Sequence, residues 1–215
     1  MHIRPILASL VLSLAASHAL AQAPAKPAAP AKTPAGLTEW TIDPSHSHIG
    51  FSVPHMVVSE VEGKFKQWKG TVQLDEKALD KSQVSFTIEA ASIDTADAKR
   101  DEHLLSPDFL DAKKFPQLSF KSTKITKAGT GYTLQGNLTI HGVTKPVSLT
   151  ATVSDALTSP WGNLVRAVKI TGKLDRGDFG LKWNKTLDKG GLLVGDKVDL
   201  NIKLELNRPA APSKS

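Results

Sequence analysis

"VDLNIKLEL", residues 198–206, carries the pattern on which the fold turns. Val198, Leu200, Ile202, Leu204 and Leu206 occupy one face and Asp199, Asn201, Lys203 and Glu205 the other, the period-two alternation of a strand with one buried and one wet side. The pattern recurs upstream in Ile49–Phe51–Val53, Val84–Phe86–Ile88 and Tyr132–Leu134–Gly136–Leu138–Ile140. It returns in Val147–Leu149–Ala151–Val153 and in Arg166–Val168–Ile170–Gly172–Leu174, and Leu118 with Phe120 marks one more strand. Between Val61 and Leu74 the apolar positions change from odd (Val61, Gly63, Phe65) to even (Trp68, Gly70, Val72, Leu74). A one-residue bulge near Lys66 and Gln67 would return both sets to one face. About eight strands result, mostly joined by short turns such as "KAGTG" and "HGVTKP". Sequential antiparallel strands with a single apolar side close into a barrel or pair as a sandwich.

One segment breaks the alternation. "DTADAKRDEHLLSPDFLDAKKFP", residues 94–116, is charged and carries Ser106–Pro107, the residue pair favoured at a helix N-cap and first turn. Its Leu104, Leu105, Phe109 and Leu110 predict a short helical insertion over one end of a barrel, as a lid or as a plug. Inward positions mix large residues with Gly63, Gly70, Gly136, Ala151 and Gly172, which either leave room for a ligand or ease curvature. If they leave room, Gly136→Leu should evict a ligand at little cost in stability, because an empty lumen absorbs the added volume.

The ends bound the compartment. Residues 1–21 run from His2 and Arg4 through an apolar stretch, Ile6 to Leu14, to Ala19-Leu20-Ala21, the layout of a secretory signal peptide and too short to span a bilayer. Export to a bacterial periplasm is the expectation. Residues 22–39 are a Pro/Ala-rich tether, 40–206 the folded domain and 207–215 an unstructured tail. Cysteine is absent, so no disulfide supports the fold. The net charge of +6 argues for nucleic acid only if it is concentrated on the domain, yet Trp40 to Leu206 holds 22 Lys/Arg against 20 Asp/Glu. No nucleic-acid partner is expected.

Three polar clusters call for assignment. His46 and His48 would share one side of a strand as metal ligands do, but His55 has the opposite parity and follows Pro54, so no metal is assigned. Asp43, His46 and Ser47 are read instead as orienting or hydrogen-bonding groups where the barrel closes. "RDEH", residues 100–103, offers an acid, a base and a cation, and "LDRGDFG", residues 174–180, reads as a turn stabilised by Arg176 and Asp178 with Phe179 turned inward. Hydrolase signatures and a Gly-rich phosphate loop are missing, so no catalytic residue is assigned.

"DPSHSHIGFSVPHM", "VEGKFKQWKGTV", "ASIDTADAKRDEHLLSPDFLDAKKFPQLSF", "GNLTIHGVTKPV" and "LDRGDFGLKWNKTLDKGGLLVGDKV", followed by the final alternating strand, together resemble the YceI-like family of exported lipid-binding proteins. The resemblance spans nearly all of Trp40 to Leu206. It implies a mainly β fold: an eight-stranded antiparallel lipocalin-like barrel with a short helical insertion between strands 3 and 4, enclosing a long apolar tunnel. Phe51, Val53, Phe65, Phe86, Ile88, Phe120, Leu138, Ile140, Val168 and Phe179 would line it. Arg100, Asp101 and His103 would tie the insertion to the barrel or meet a lipid head group. The implied partner is a long-chain amphiphile such as a polyisoprenoid, isoprenoid quinone, fatty acid or amide, stored, shielded or transported. It is a ligand and not a cofactor, and transient membrane contact and a homodimer are left open. Two other readings stand beside this one. A lipid-modifying enzyme would use His46, His103 and Arg100, and a structural protein would have a filled core and no ligand.

Overall fold

The computed structural model describes residues 36–188 and 190–210. The expected signal peptide, most of the tether and the end of the tail lie outside them. The elements are β1 (Thr38–His55), β2 (Ser59–Phe65), β3 (Trp68–Leu74), β4 (Gln83–Glu89), β5 (Ile93–Asp94), α1 (Ala98–Leu105), β6 (Gln117–Ala128), β7 (Gly131–Ile140), β8 (Val143–Val153), β9 (Leu157–Thr158), β10 (Asn163–Asp175) and β11 (Lys197–Pro209). Antiparallel pairing runs β11-β10-β8-β7-β6-β4-β3-β1, and β11 pairs back to β1, so the sheet closes. β2 and β3 pair with the two ends of β1 and act as halves of one strand. Counted that way, the barrel has the eight strands the alternation predicts. The phase change at Lys66–Gln67 is a break between those halves, where Lys66 N donates to Ser92 O and Glu89 N to Gln67 O.

Closure rests on a seam with an irregularity. β1 pairs with β11 from Thr41↔Asn207 to Asp43↔Glu205 and resumes at His48↔Lys203, so four residues of β1 oppose Leu204 alone. Those extra residues switch the inward set from Trp40 and Ile42 to Ile49 and Phe51, which lets one long strand serve both ends of the barrel. At the far end Trp40 is almost fully buried. Its Nε1 donates to Glu76 Oε1 at 3.0 Å, and the Arg166 and Arg208 guanidinium groups lie 5.4 and 5.2 Å from its ring centre. Such stacking contributes roughly 0.5–2 kcal/mol per cation. Arg208 belongs to β11, which therefore runs past the expected domain end at 206, with Asn207–Pro209 paired to Asn163–Val165.

The helical insertion sits where expected, between β4 and β6, but its start differs. Asp97 is the N-cap, its side chain accepting from Lys99 N and Arg100 N, whereas Ser106 terminates the helix and bonds His103 O through its hydroxyl. Pro107 explains the reversal, because a proline disfavours helical backbone in the residue before it. Phe109 and Leu110 fall in the turns beyond and are both buried.

The inward glycines do a job that sequence parity does not reveal. A side chain at Gly63 would collide with the Phe51 ring, one at Gly70 with Phe86, one at Gly136 with Phe120 and one at Gly172 with Leu149. Each glycine is the socket for a large residue of a neighbouring strand. The idea that Gly136 borders empty lumen is therefore wrong. Its space is taken by the Phe120 ring, and an added Cβ would also stand 2.6 Å from the Lys121 carbonyl oxygen, which is fixed backbone. Overpacking of this kind costs about 1–3 kcal/mol. Gly136→Ala should lower the unfolding free energy by that amount, read as a lower midpoint of denaturant unfolding at unchanged slope, and an unaltered midpoint would mean that β6 and β7 part freely.

Candidate functional site

The barrel interior holds a cavity of about 360 Å³, within the range of preformed ligand pockets. The filled-core reading fails on this volume. Every strand of the barrel except the β3 half contributes to the wall, and nine of the ten residues expected there line it, Phe51, Phe86, Phe120 and Leu138 among them. Val168 is the exception. It lies deeper, on a second cavity of about 50 Å³ between β3, β4, β7, β8 and β10. Val84, Leu134 and Ile170 line both cavities, so the interior is two stacked chambers and not the continuous tunnel expected.

Polar groups gather at one end of the large cavity. His55, Thr95, Arg100, His103 and Arg176 line it there, and among the described residues no carboxylate does. Thr95 is the knot that holds α1 in place: Arg100 Nε donates to its hydroxyl at 2.8 Å and Nη2 to its carbonyl at 2.7 Å, while Asp101 Oδ1 accepts from its hydroxyl and its backbone N–H. Arg100 and Asp101 thus tie the insertion to the barrel. Arg100 Nη1 has no partner among the described residues. His103 meets Phe109 and Trp183 edge-on at 5.1 and 4.8 Å and pairs Nε2 with Asp108 at 3.0 Å.

Arg176 has a different task. It is 5% exposed, and its guanidinium donates to the carbonyls of Gly195, Leu181 and Trp183 and to Asp196 Oδ1. Its donors are committed to holding the irregular chain between Leu181 and Asp196 against the barrel mouth. The carboxylate that shapes its turn is Asp175, which accepts from Gly177 N; Asp178, the residue expected there, makes no such bond, while Phe179 is buried as predicted. This irregular chain delivers lining residues that the strand pattern missed, namely Leu181, Trp183, Leu193 and Val194. Leu193 and Val194 were signalled by the apolar run that follows Gly190–Gly191, whereas Leu181 and Trp183 carry no such signal.

Asp43, His46 and Ser47 are away from the cavity. They pin the seam from outside: Asp43 Oδ1 accepts from Ser45 N at 2.7 Å, Asp43 Oδ2 meets His46 Nδ1 at 3.1 Å, and Ser47 Oγ accepts from Glu205 N at 3.0 Å. Glu205 brings a carboxylate to 3.7 Å from His46, a third donor that strand parity did not supply. His46 is exposed and the two carboxylates are half-buried, and the three are already paired with one another. His46 is also remote from the wall that Arg100 and His103 share, so the trio proposed for lipid modification is not assembled.

An antiparallel lipocalin-like barrel with an apolar pocket and a polar rim is the class that fold and site define. The chain belongs to the YceI-like family, whose YceI-like domain model matches residues 40–206. "Protein YceI" of Salmonella newport is 38% identical over 169 residues, 78% of this chain and 85% of that protein. Among solved structures, Burkholderia cenocepacia BcnA superposes with a TM-score of 0.68 at 25% identity, covering 77% of this chain and 99% of the other. A polyisoprenoid binding domain from Saccharophagus degradans, implicated in plant cell wall breakdown, superposes at 0.56 with 12% identity over 80% of this chain and 99% of that one, a likeness of fold alone.

The seam also makes a testable electrostatic statement. The hydrogen bond that His46 Nδ1 donates to Asp43, then the charge of Glu205, raises the His46 pKa above its ordinary 6.5, while the same hydrogen bond and the one Asp43 accepts from Ser45 N lower the Asp43 pKa. The histidine's contribution to stability is therefore complete below pH 6.5 and is lost as pH rises through its elevated folded value. Asp43→Ala should bring the His46 pKa, followed by NMR, down toward 6.5. An unshifted titration would remove Asp43 from this role.

Proposed function

We propose that this chain is an exported lipid-binding protein that holds the hydrocarbon part of a long-chain amphiphile, a polyisoprenoid or isoprenoid quinone, inside the barrel. The carrying observation is the large cavity itself, apolar along its depth and polar only at its rim. Burial of chain there contributes about 25 cal/mol per Å² of apolar surface, with few polar contacts to orient the head. The free Nη1 of Arg100 is the donor best placed to meet a head-group oxygen. A fold shared with a polyisoprenoid binding domain supports the ligand class, and the signal-peptide pattern of residues 1–21 supports the periplasm as its place of work. His46 stands apart from the wall that Arg100 and His103 share, which favours binding over turnover as the activity in this reading.

Loading occurs from a membrane surface. The tip between β1 and β2 presents Met56, Val57 and Val58 to solvent, the two valines more than three-quarters exposed. Met56 and Val57 hold positive φ angles, an unfavourable conformation for a β-branched residue such as valine. The tip adjoins Pro54 and His55 of the cavity wall and lies beside Gly191 and the half-exposed Leu192. An apolar lip on the mouth of an apolar pocket is suited to shallow, reversible contact with lipid.

Mass spectrometry of an organic extract of natively purified protein should recover a stoichiometric isoprenoid, chemically unaltered after incubation. Val57→Asp with Val58→Asp should slow lipid pick-up from vesicles severalfold while leaving binding from detergent solution unchanged. Background lipids alone in the extract, with no thermal shift on adding isoprenoid quinone, would contradict the function. Unchanged pick-up by the variant would contradict the loading route only.

A further inference from the structure

We infer that Val84, Leu134 and Ile170 form a floor that sets how long a chain the barrel holds. The inference rests on the lipid-binding reading and specifies its selectivity. These three side chains line both the large cavity and the small one beneath it. They come from β4, β7 and β10, which are not neighbours in the sheet, so they reach across the interior from three sides. Leu134 and Ile170 are 3% and 5% exposed and share one packed cluster. No hydrogen bond or ion pair through these side chains holds the partition; it consists of three aliphatic groups only.

What lies below makes the floor a boundary and not the end of the core. The lower chamber, about 50 Å³, is bounded by Tyr132, Ala151, Leu204 and Val72, with Ala151 facing it but not the upper cavity. The true end is further on, where Val72 and Leu204 pack in the same cluster as Trp40. A chain entering from the polar rim therefore stops at Leu134 with unfilled apolar space still beneath it. Trimming the floor joins the two volumes and lets the chain run toward Trp40, whereas filling the lower chamber from Ala151 withdraws that extra depth.

The test is competition among three chains of increasing length. Full-length protein and its variants are equilibrated with equimolar geranylgeraniol, solanesol and undecaprenol in detergent, and the bound species are quantified by mass spectrometry. Melting temperatures are taken on lipid-free samples. Leu134→Ala should raise the ratio of long to short chain bound by about tenfold, the gain for roughly two further buried methylene groups. Leu134→Ala with Ala151→Leu should return the ratio toward wild type, and Ala151→Leu alone should leave it unchanged. Ile170→Val, a milder trim, should move the ratio the same way and serves if Leu134→Ala does not fold. A ratio that stays at the wild-type value in the folded floor variants overturns the floor and spares lipid binding. Failure of wild type to retain any of the three chains overturns both.

Discussion

The pairing of the first strand with the last is the constraint on which everything else depends. Until β1 meets β11 the sheet has two open edges and its apolar face is half solvated; once they pair, every inward residue faces another wall. The seam has to satisfy two demands that conflict. β1 must point Trp40 and Ile42 inward to close one end and Ile49 and Phe51 inward to line the cavity, and a regular strand with that spacing would do only one. The expanded bulge from Pro44 to Ser47 resolves the conflict, and Asp43, His46 and Ser47 satisfy backbone and side-chain polar groups that the interrupted ladder leaves over. A cluster with the appearance of a metal or catalytic site is thus the consequence of closing a barrel with one long strand.

Closure alone would give a packed core or a collapsed one. The open volume survives because bulky side chains lean sideways into glycine sockets on adjacent strands and not across the lumen, Phe51 over Gly63 and Phe120 over Gly136. Aromatic rings laid against the wall make it smooth and apolar while covering backbone that glycine leaves bare. At one end Trp40 and its two arginines seal the interior; at the other, Arg176 spends its donors on the carbonyls of an irregular loop. Among the described residues of the rim, Arg100 is the arginine with a donor to spare.

Much of this was legible in the sequence, and the exceptions have physical causes. Alternation places Leu138 and Phe86 on the cavity wall because a barrel with wet outer and dry inner faces enforces period two along each strand. Ser106–Pro107 misled because the same dipeptide that opens a helix also closes one, and the choice fell to Asp97, whose carboxylate lies where it caps two free N–H groups. Gly136 misled because parity gives the face of a residue but not which neighbour leans over it. Leu181 and Trp183 went unassigned because their segment is anchored by one buried arginine and not by a repeating ladder, and such a contact leaves no periodic trace. The division of the interior at Leu134 was equally hidden, since it depends on three strands distant in sequence meeting at one level.

The central claim is that a chain-like lipid occupies the upper chamber with its head at the polar rim. A crystal structure of protein purified without detergent and never delipidated tests it most directly. The account predicts continuous, elongated density from the neighbourhood of Arg100 and Trp183 down to Leu134. Discrete waters along the same path, or a cavity closed by side chains that have turned inward from their glycine sockets, would contradict it.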